Sequence, residues 1–291
     1  MKIALFGKHS QQSFVPQLLE FFRLIEEKQI ELLIEADFYD YLKAILPQPP
    51  KADDFILGDC FQADFALSLG GDGTLLNTAR RVGGQAIPIV GINTGRLGYL
   101  SASDGHDLPQ LLDDLLQGNY EIEQRARLCL SSETIKFDYP LALNEIAITR
   151  RDVAAMLHIH ASVNGEYLND YQADGLILST ATGSTAYSLS VGGPILMPDN
   201  RSIILSPIAP HTLSMRPIVL GADAYVDLSV ESRSKQYLVS LDGHSLSLPS
   251  DTRLRVRLAD TPVLLVRRKD QSFVHTLRTK MMWGKDLRSE V

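Results

Sequence analysis

In the N-terminal part of the chain, short apolar runs alternate with amphipathic helical patterns. In the first such helical pattern, Leu18, Leu19, Phe22 and Ile25 fall on one face. Strand–helix alternation of this kind predicts a mostly parallel sheet with helices on both faces. The predicted strands are residues 3–6, 31–36, 65–69 and 87–92, and the predicted helices are residues 14–27, 39–46, 75–81 and 107–117.

Beyond about residue 120 the pattern changes to short β-type runs. Two turn dipeptides, Asn164-Gly165 and Asp242-Gly243, are strong signals for β-hairpins. This part of the chain is therefore predicted to be antiparallel and rich in β-structure. The predicted strands are residues 141–149, 157–163, 176–179, 203–207, 224–231, 237–241 and 254–258.

These patterns predict an α/β protein with two domains. Residues 1–120 would form a Rossmann-like, parallel-sheet domain that binds a nucleotide. Residues 121–265 would form the β-rich antiparallel domain. The basic tail, residues 266–291, carries Trp283 and is expected to fold back on the first domain.

Composition and charge narrow the class of protein. The chain has 291 residues, of which 45% are hydrophobic and 22% charged, as in ordinary globular domains. A formal net charge of −7 argues against a non-specific nucleic-acid binder. Cys60 and Cys129 form no C-x-x-C pair, and no apolar run is long enough to span a membrane. We therefore expect a cytoplasmic protein.

The first candidate site is the run Gly70-Gly71-Asp72-Gly73-Thr74, which lies between a predicted strand and a predicted helix. Three glycines let the backbone turn tightly and approach a phosphate. A carboxylate among them is suited to binding a metal or to taking a proton from a hydroxyl. The alternative is an ordinary turn with a helix-capping Asp or Thr. Neither G-x-x-x-x-G-K-[ST] nor G-x-G-x-x-G is present.

The second candidate is the pair Asn144-Glu145 at the start of a β-type run. Together these side chains offer two donors and four acceptor sites, which suit an adenine edge or ribose hydroxyls. The alternative is a solvated strand start.

The third candidate is Asp174-Gly175 with the later run Thr182-Gly183-Ser184-Thr185-Ala186-Tyr187-Ser188. Residues 179–190 are too rich in hydroxyls for a core strand, so they form either a loop or a helix start that faces a ligand. Amides and hydroxyls at a helix N-terminus make an anion site, and an ordinary capped helix entry is the alternative. The histidines show no metal-ligand spacing, and of these only His211 and His244 lie in polar, turn-rich surroundings.

Taken together, these motifs resemble those of the NAD kinase family. The first motif alone is also typical of lipid kinases and phosphofructokinases, whereas the third is specific to NAD kinases. The matching segments, within residues 65–245, are Gly70 to Thr74, Asn93-x-Gly95-x-Leu97-Gly98-Tyr99-Leu100, Asn144-Glu145, Asp174-Gly175, Thr182 to Ser188, Gly192-Gly193-Pro194, and Pro207-x-x-Pro210-His211-x-Leu213-x-x-Arg216-Pro217.

The resemblance implies transfer of the ATP γ-phosphate to the adenosine 2′-hydroxyl of NAD, with Mg²⁺ bound alongside ATP. It implies that Asp72 is the catalytic acid–base residue and that Gly73 lies beside the nucleotide. Asn144 and Glu145 would hold ribose hydroxyls, and Asp174 would contact the nicotinamide side. The adenine and ribose pocket would be lined by Thr182, Thr185, Ala186, Tyr187, Ser188, Leu189 and Ser190.

The resemblance also implies a homodimer or homotetramer in which a neighbouring subunit completes the pocket, with Ala209 as a contributor. His244 is a further candidate for substrate binding and stands where relatives often have Gln. Gln172 stands where many relatives have Arg, two residues before Asp174.

Two other functions remain open at this point. A lipid or sphingoid-base kinase would use the same glycine-rich turn, but it would need an apolar pocket, and the polar residues 179–190 argue against one. A non-catalytic NAD-binding regulator would bind NAD and form no product that depends on ATP and magnesium.

Overall fold

The computed structural model describes residues 1–9, 12–95, 99–103, 105, 107–152, 156–269 and 272–281. The described chain separates into two compact units, one formed by the described residues of Met1–Glu123 and those that follow Val263, the other by those of Gln124–Val263. Each unit has its own hydrophobic core. Three residues named above, Leu97, Gly98 and Trp283, lie outside the described residues.

The first unit is built on a seven-stranded sheet. The first five strands and the last all run parallel to their paired neighbours, which confirms the parallel sheet that the sequence predicts. The strands are β1 (Lys2–Gly7), β2 (Glu31–Glu35), β3 (Asp54–Ile56), β4 (Phe65–Leu69), β5 (Ile89–Ile92), β6 (Glu121–Arg125) and β19 (Val263–Arg267), in the spatial order β3-β2-β1-β4-β5-β19-β6.

Helices of this unit bury most of the apolar positions that the sequence pattern indicates. In the first of them, Leu18, Phe22 and Ile25 lie in the core. Leu19, predicted on the same face, is instead 44% exposed, because it lies next to that face and not on it. In the fourth helix, Leu108, Leu111, Leu112 and Leu115 lie in the core. Gly118 ends that helix in the left-handed conformation at φ +74°. The helices are α1 (Val15–Glu27), α2 (Ala36–Ile45), α3 (Asp72–Val82), α4 (Leu108–Gln117) and α6 (Phe273–Lys280).

The second unit consists of two six-stranded sheets in which all pairs are antiparallel, as predicted. One hydrophobic cluster takes side chains from both sheets, so their inner faces share a core. The strands are β7 (Leu128–Ser131), β8 (Leu141–Ala142), β9 (Glu145–Arg150), β10 (Leu157–Val163), β11 (Glu166–Ala173), β12 (Gly175–Ser179), β13 (Ile203–Ile208), β14 (Ile218–Leu220), β15 (Tyr225–Glu231), β16 (Gln236–Leu241), β17 (His244–Pro249) and β18 (Leu254–Leu258), in the orders β11-β10-β15-β18-β7-β8 and β14-β13-β12-β9-β16-β17.

Both predicted hairpin turns are confirmed. Asn164-Gly165 joins β10 to β11 with φ values of +54° and +83°, and Asp242-Gly243 joins β16 to β17 with +47° and +89°. Positive φ at both central residues is the backbone that a two-residue hairpin with right-handed strand twist requires.

One predicted strand is wrong in its extent. The sequence predicts a single run over residues 141–149, whereas the structure forms β8 and β9 there, in different sheets. The chain crosses from one sheet to the other at Leu143 and Asn144, whose amides bind a side chain instead of a neighbouring strand. Within the described residues, no helix is long and apolar enough to cross a membrane.

Candidate active site

The glycine-rich turn lies at the carboxyl end of β4, where the chain enters α3. Gly70 must be glycine because a Cβ there would lie 2.2 Å from Thr74 Oγ1. Its amide donates to the carbonyl of Ile92 at 2.9 Å, which ties the turn to the end of β5. No atom of a described residue lies within 4 Å of the position that a Cβ would take at Gly71 or Gly73, so this side of the turn is open among the described residues. A phosphate can therefore approach the backbone at the helix N-terminus.

Asp72 is the first residue of α3 and is half-buried. Its Oδ2 accepts a hydrogen bond from the backbone amide of Tyr99 at 2.8 Å, and its Oδ1 accepts one from Leu100 at 3.1 Å. These two bonds fix the orientation of the carboxylate. A carboxylate has about four acceptor positions, so Asp72 keeps the capacity to accept a proton from a hydroxyl.

The segment that holds Asp72 follows β5 and contacts the C-terminal helix. Asn93 is buried, and its Oδ1 accepts from the amide of Gly95 at 3.0 Å. Further along, the ring of Tyr99 packs edge-on against Phe273 of α6, with the ring centroids 5.7 Å apart. The C-terminal helix therefore supports the loop whose amides bind Asp72.

In the second unit, Asn144 and Glu145 are held by their backbone. Asp242 accepts from three successive amides, those of Leu143 at 2.6 Å, Asn144 at 2.8 Å and Glu145 at 3.0 Å. From the other side, the hydroxyl of Thr180 donates to the carbonyl of Leu143 at 2.6 Å, and its amide donates to that of Asn144 at 2.9 Å. The backbone of this segment is thus satisfied without its side chains.

The side chains of the pair keep acceptor atoms that no described residue satisfies. Asn144 Oδ1 and Glu145 Oε2 are buried without a hydrogen-bond partner among the described residues. Burial raises the pKa of Glu145 to about 7; the charge of Asp242 adds to this rise, and the backbone amide of Tyr187 opposes it. Because such atoms are costly to leave unpaired, a ligand with hydroxyl donors is the expected partner.

The hydroxyl-rich segment packs directly on this pair. A Cβ at residue 183 would lie 2.1 Å from the carbonyl oxygen of Asn144, so only glycine fits there. Gly183–Thr185 form one turn of 3₁₀ helix, which leads into the short helix α5 (Tyr187–Ser190). Of the two possibilities that the sequence leaves open for this segment, a loop or a helix start, the structure forms a helix start.

The side chains of that segment divide into engaged and accessible ones. Thr182 is buried, and its hydroxyl lies 3.4 Å from a guanidinium nitrogen of Arg125. Ser188 is fully buried, with its hydroxyl 3.0 Å from that of Ser206. Ser184 is fully buried too, and its hydroxyl donates to the carbonyl of Ala181 at 2.6 Å. The half-buried or exposed members are Thr185, Ala186, Tyr187, Leu189 and Ser190.

Asp174 and Ala209 lie at the opposite end of the same sheet. Glu145 pairs with Ser179 at one end of β12, whereas Gly175, directly after Asp174, pairs with Ile208 at the other end. Four strand residues at about 3.3 Å each separate the two ends by about 13 Å. The structure therefore brings Asn144, Glu145 and residues 182–187 together, and it places Asp174 and Ala209 in a separate cluster.

In that separate cluster, Asp174 forms an ion pair with Arg150 at 3.0 Å, and its side chain stays 34% exposed. Ala209 is exposed and has a φ of +43°. The amide of His211 donates to the carbonyl of Gln172 at 2.9 Å, which closes the loop after β13 onto β11.

His244 is exposed at the start of β17, two residues from Asp242. Among the described residues, no group of three or more His, Cys, Asp or Glu side chains is arranged to hold a metal ion. The described part of the chain therefore contains no metal cage made of its own side chains.

Sequence reasoning missed two groups that shape the site. The sequence indicates only a turn at Asp242 and only a polar segment around Thr180. Their partners lie 97–99 and 37 residues away along the chain, so no local pattern reports these contacts. A carboxylate at a hairpin turn where Asn would serve equally well is the one signal that the sequence offers.

A glycine-rich turn that admits a phosphate at a helix N-terminus beside a fixed carboxylate is suited to phosphoryl transfer. Residues 8–120 match the model of the ATP-NAD kinase N-terminal domain, and residues 143–268 match that of the ATP-NAD kinase C-terminal domain. The chain belongs to the NAD kinase family.

Full-length relatives agree with this assignment. The chain is 45% identical to the NAD kinase of Bacteroides fragilis, over 99% of this chain and 100% of that one. It is 38% identical to the NAD kinase of Cytophaga hutchinsonii, over the same shares of the two chains. Since these relatives are phosphotransferases, this chain is one too.

Two solved structures share the fold. Yeast NADH kinase, solved with NADH, superposes with a TM-score of 0.90 at 22% identity, covering 99% of this chain and 89% of that one. An NAD kinase from Archaeoglobus fulgidus, solved with ATP, gives 0.74 at 24% identity, covering 98% of each chain. At these identities the likeness concerns the fold.

Proposed function

We propose that this protein transfers the γ-phosphate of ATP to the adenosine 2′-hydroxyl of NAD, which yields NADP and ADP. The observation that carries the proposal is the pair of buried acceptors, Asn144 Oδ1 and Glu145 Oε2, that no described residue satisfies. Ribose hydroxyls are donors of the kind these atoms need. Membership of the NAD kinase family supports the choice of NAD.

Asp72 acts as the general base in this proposal. The 2′-hydroxyl oxygen attacks the γ-phosphorus, the bond to the ADP oxygen breaks, and the hydroxyl proton passes to the Asp72 carboxylate. The amides of Tyr99 and Leu100 support this role because they hold both carboxylate oxygens in place. A fixed base loses little freedom when the hydroxyl arrives.

ATP is the donor, and we propose that magnesium arrives in complex with it. Phosphate oxygens and water are the ligands that Mg²⁺ prefers, so the ion is part of the substrate. The open side of Gly71 and Gly73 supports an approach of the phosphates to the start of α3. Gly73 then lies beside the nucleotide.

Thr182 and residues 185–190 would line the adenine and ribose pocket, and His244, which is exposed beside Asp242, would contribute to it. Asp174 and Ala209 lie about 13 Å from Glu145 along the sheet. That separation supports a homodimer or homotetramer in which these two residues of one subunit serve a neighbour's pocket, with Asp174 on the nicotinamide side. Such an assembly and a cytoplasmic location stay predictions from the sequence.

One assay tests the proposal. The purified protein is incubated with ATP, magnesium and NAD, and NADP is detected with an NADP-specific dehydrogenase. We expect NADP and ADP in equal amounts, with Asp72→Asn as the inactive control.

Parallel reactions with NADH, a sphingoid base and diacylglycerol test other acceptors. Good NAD binding without NADP would favour the non-catalytic regulator, and a phosphorylated lipid would favour the lipid kinase. Either result would overturn the proposal.

A further inference from the structure

Asp242 lies in the turn between β16 and β17, yet its carboxylate reaches the start of β9. We propose that Asp242 is a positioning residue that aims the side chains of Asn144 and Glu145 at the ribose of NAD. The inference rests on the proposed function, because it takes NAD as the ligand of this pair.

The hydrogen bonds of Asp242 replace those of a strand at the point where the chain changes sheets. β8 ends at Ala142 and β9 begins at Glu145, so Leu143 and Asn144 belong to neither ladder. Asp242 Oδ2 accepts a hydrogen bond from the amide of Leu143, and Oδ1 accepts from the amides of Asn144 and Glu145. The hydroxyl of Thr180 donates to the carbonyl of Leu143, and its amide donates to the carbonyl of Asn144. With amides and carbonyls both fixed, the two side chains have fixed directions.

A second turn in the same unit shows what a hairpin alone requires. Asn164-Gly165 has nearly the same backbone, with φ values of +54° and +83° against +47° and +89°. The Asn164 side chain accepts a single amide, that of Tyr225, at 3.0 Å. A neutral Asn therefore suffices for the turn, whereas three amides at Asp242 need two acceptor oxygens.

The charge of Asp242 also acts on Glu145. The groups that face the Glu145 carboxylate are the Asp242 carboxylate from the turn and the amide of Tyr187 from α5. His244 on β17 faces Asp242 in turn. After burial, the negative charge of Asp242 is the next largest cause of the raised pKa of Glu145. Neutralising Asp242 therefore lowers that pKa.

The test compares Asp242→Asn with the reverse exchange at the other hairpin turn, Asn164→Asp. Both exchanges keep a residue that tolerates positive φ before glycine, so both turns are preserved. NAD affinity is measured by calorimetry from pH 6 to pH 8.5, beside kcat at saturating NAD and thermal melting. For Asp242→Asn we expect NAD binding about 10-fold weaker, equivalent to about 1.4 kcal/mol, with kcat within about threefold of wild type.

The pH dependence of NAD affinity distinguishes the two roles of Asp242, because a purely structural role would leave it unchanged. In Asp242→Asn, the pH at which NAD affinity is half lost on acidification should fall, because the Glu145 carboxylate ionises more readily. Asn164→Asp should leave both affinity and pH dependence as in wild type.

Wild-type NAD affinity and pH dependence in Asp242→Asn, with only a lower melting temperature, would overturn the inference. Should that variant not fold, Asp242→Ser, which keeps one neutral acceptor, takes its place. Failure of both to fold also counts against the inference, because Asp242 would then serve the fold. If the wild-type protein binds NAD but makes no NADP, the proposed function fails while the affinities still decide the role of Asp242.

Discussion

Glu145→Gln should make the unliganded protein more stable at alkaline pH while it destroys NAD binding. Burial and the charge of Asp242 raise the pKa of Glu145 from 4.5 to about 7 in the folded state. The folded protein therefore holds the proton more tightly than the unfolded chain. The contribution of protonated Glu145 to stability is complete below about pH 4.5 and is lost as the pH rises through about 7.

The magnitude follows from the shift. A change from 4.5 to about 7 is about 2.5 pH units, and at about 1.4 kcal/mol per unit it costs about 3 kcal/mol at pH 8. At pH 5 the same calculation gives a cost of ionising Glu145 of about 1 kcal/mol. Glutamine is neutral at every pH, so the stability gap between variant and wild type should widen by about 2 kcal/mol from pH 5 to pH 8. At pH 8 the full stability difference of about 3 kcal/mol corresponds to a melting temperature of the variant that is higher by about 6–12 °C.

The assay is thermal and urea unfolding of the unliganded protein at pH 5, 6, 7 and 8. Glu166→Gln is the matched control, because Glu166 is an exposed glutamate on β11 of the same unit. Calorimetry with NAD should show binding to Glu166→Gln and none to Glu145→Gln. A constant stability gap between Glu145→Gln and wild type across this pH range would refute the reasoning, because ionisation of Glu145 would then carry no penalty.

Three further substitutions test other parts of the site. Asp72→Asn should lower kcat by at least about 100-fold, since general-base catalysis contributes about 10²–10⁴-fold, and leave the NAD dissociation constant within severalfold; near-normal turnover would remove the base assignment. Gly183→Ala should abolish NAD binding and lower the melting temperature, because its Cβ would meet a carbonyl at 2.1 Å, whereas Gly221→Ala, with nothing within 4 Å, should do neither. Ser188→Ala should cost about 1–3 kcal/mol in urea unfolding because it leaves the buried Ser206 hydroxyl unpaired; unchanged unfolding would show that this hydrogen bond is dispensable.

Much of the fold follows from periodicity in the sequence. Residues 65–69 and 157–163 have the predicted strand bounds because their apolar runs end at clear turn signals. Two of the strands that the sequence missed, β6 and β17, carry no such signal. β6 reads Glu-Ile-Glu-Gln-Arg, and β17 is almost wholly exposed. Each is a strand because its neighbours offer a free sheet edge, which is a tertiary effect.

The candidate site was predictable as residue types but not as an arrangement. Gly70 to Thr74 and Asn144-Glu145 could be identified because glycines, amides and carboxylates in those orders have few other uses. The partners of Asp72 lie 27 and 28 residues further along the chain, after the next strand. Which backbone amides a carboxylate reaches depends on sheet order, and sequence periodicity does not report that order.

The placement of Asp174 and Glu145 at opposite ends of β12 has a consequence for mixtures of defective proteins. In a two-fold symmetric dimer that shares its pockets, each site takes Glu145 from one chain and Asp174 from the other. Glu145→Gln and Asp174→Ala chains, each inactive alone, would regain function when they are refolded together. Random pairing makes half of the dimers mixed, and one pocket in each mixed dimer is intact, so about a quarter of all pockets would work. Two inactive variants would thus complement each other within one mixed dimer.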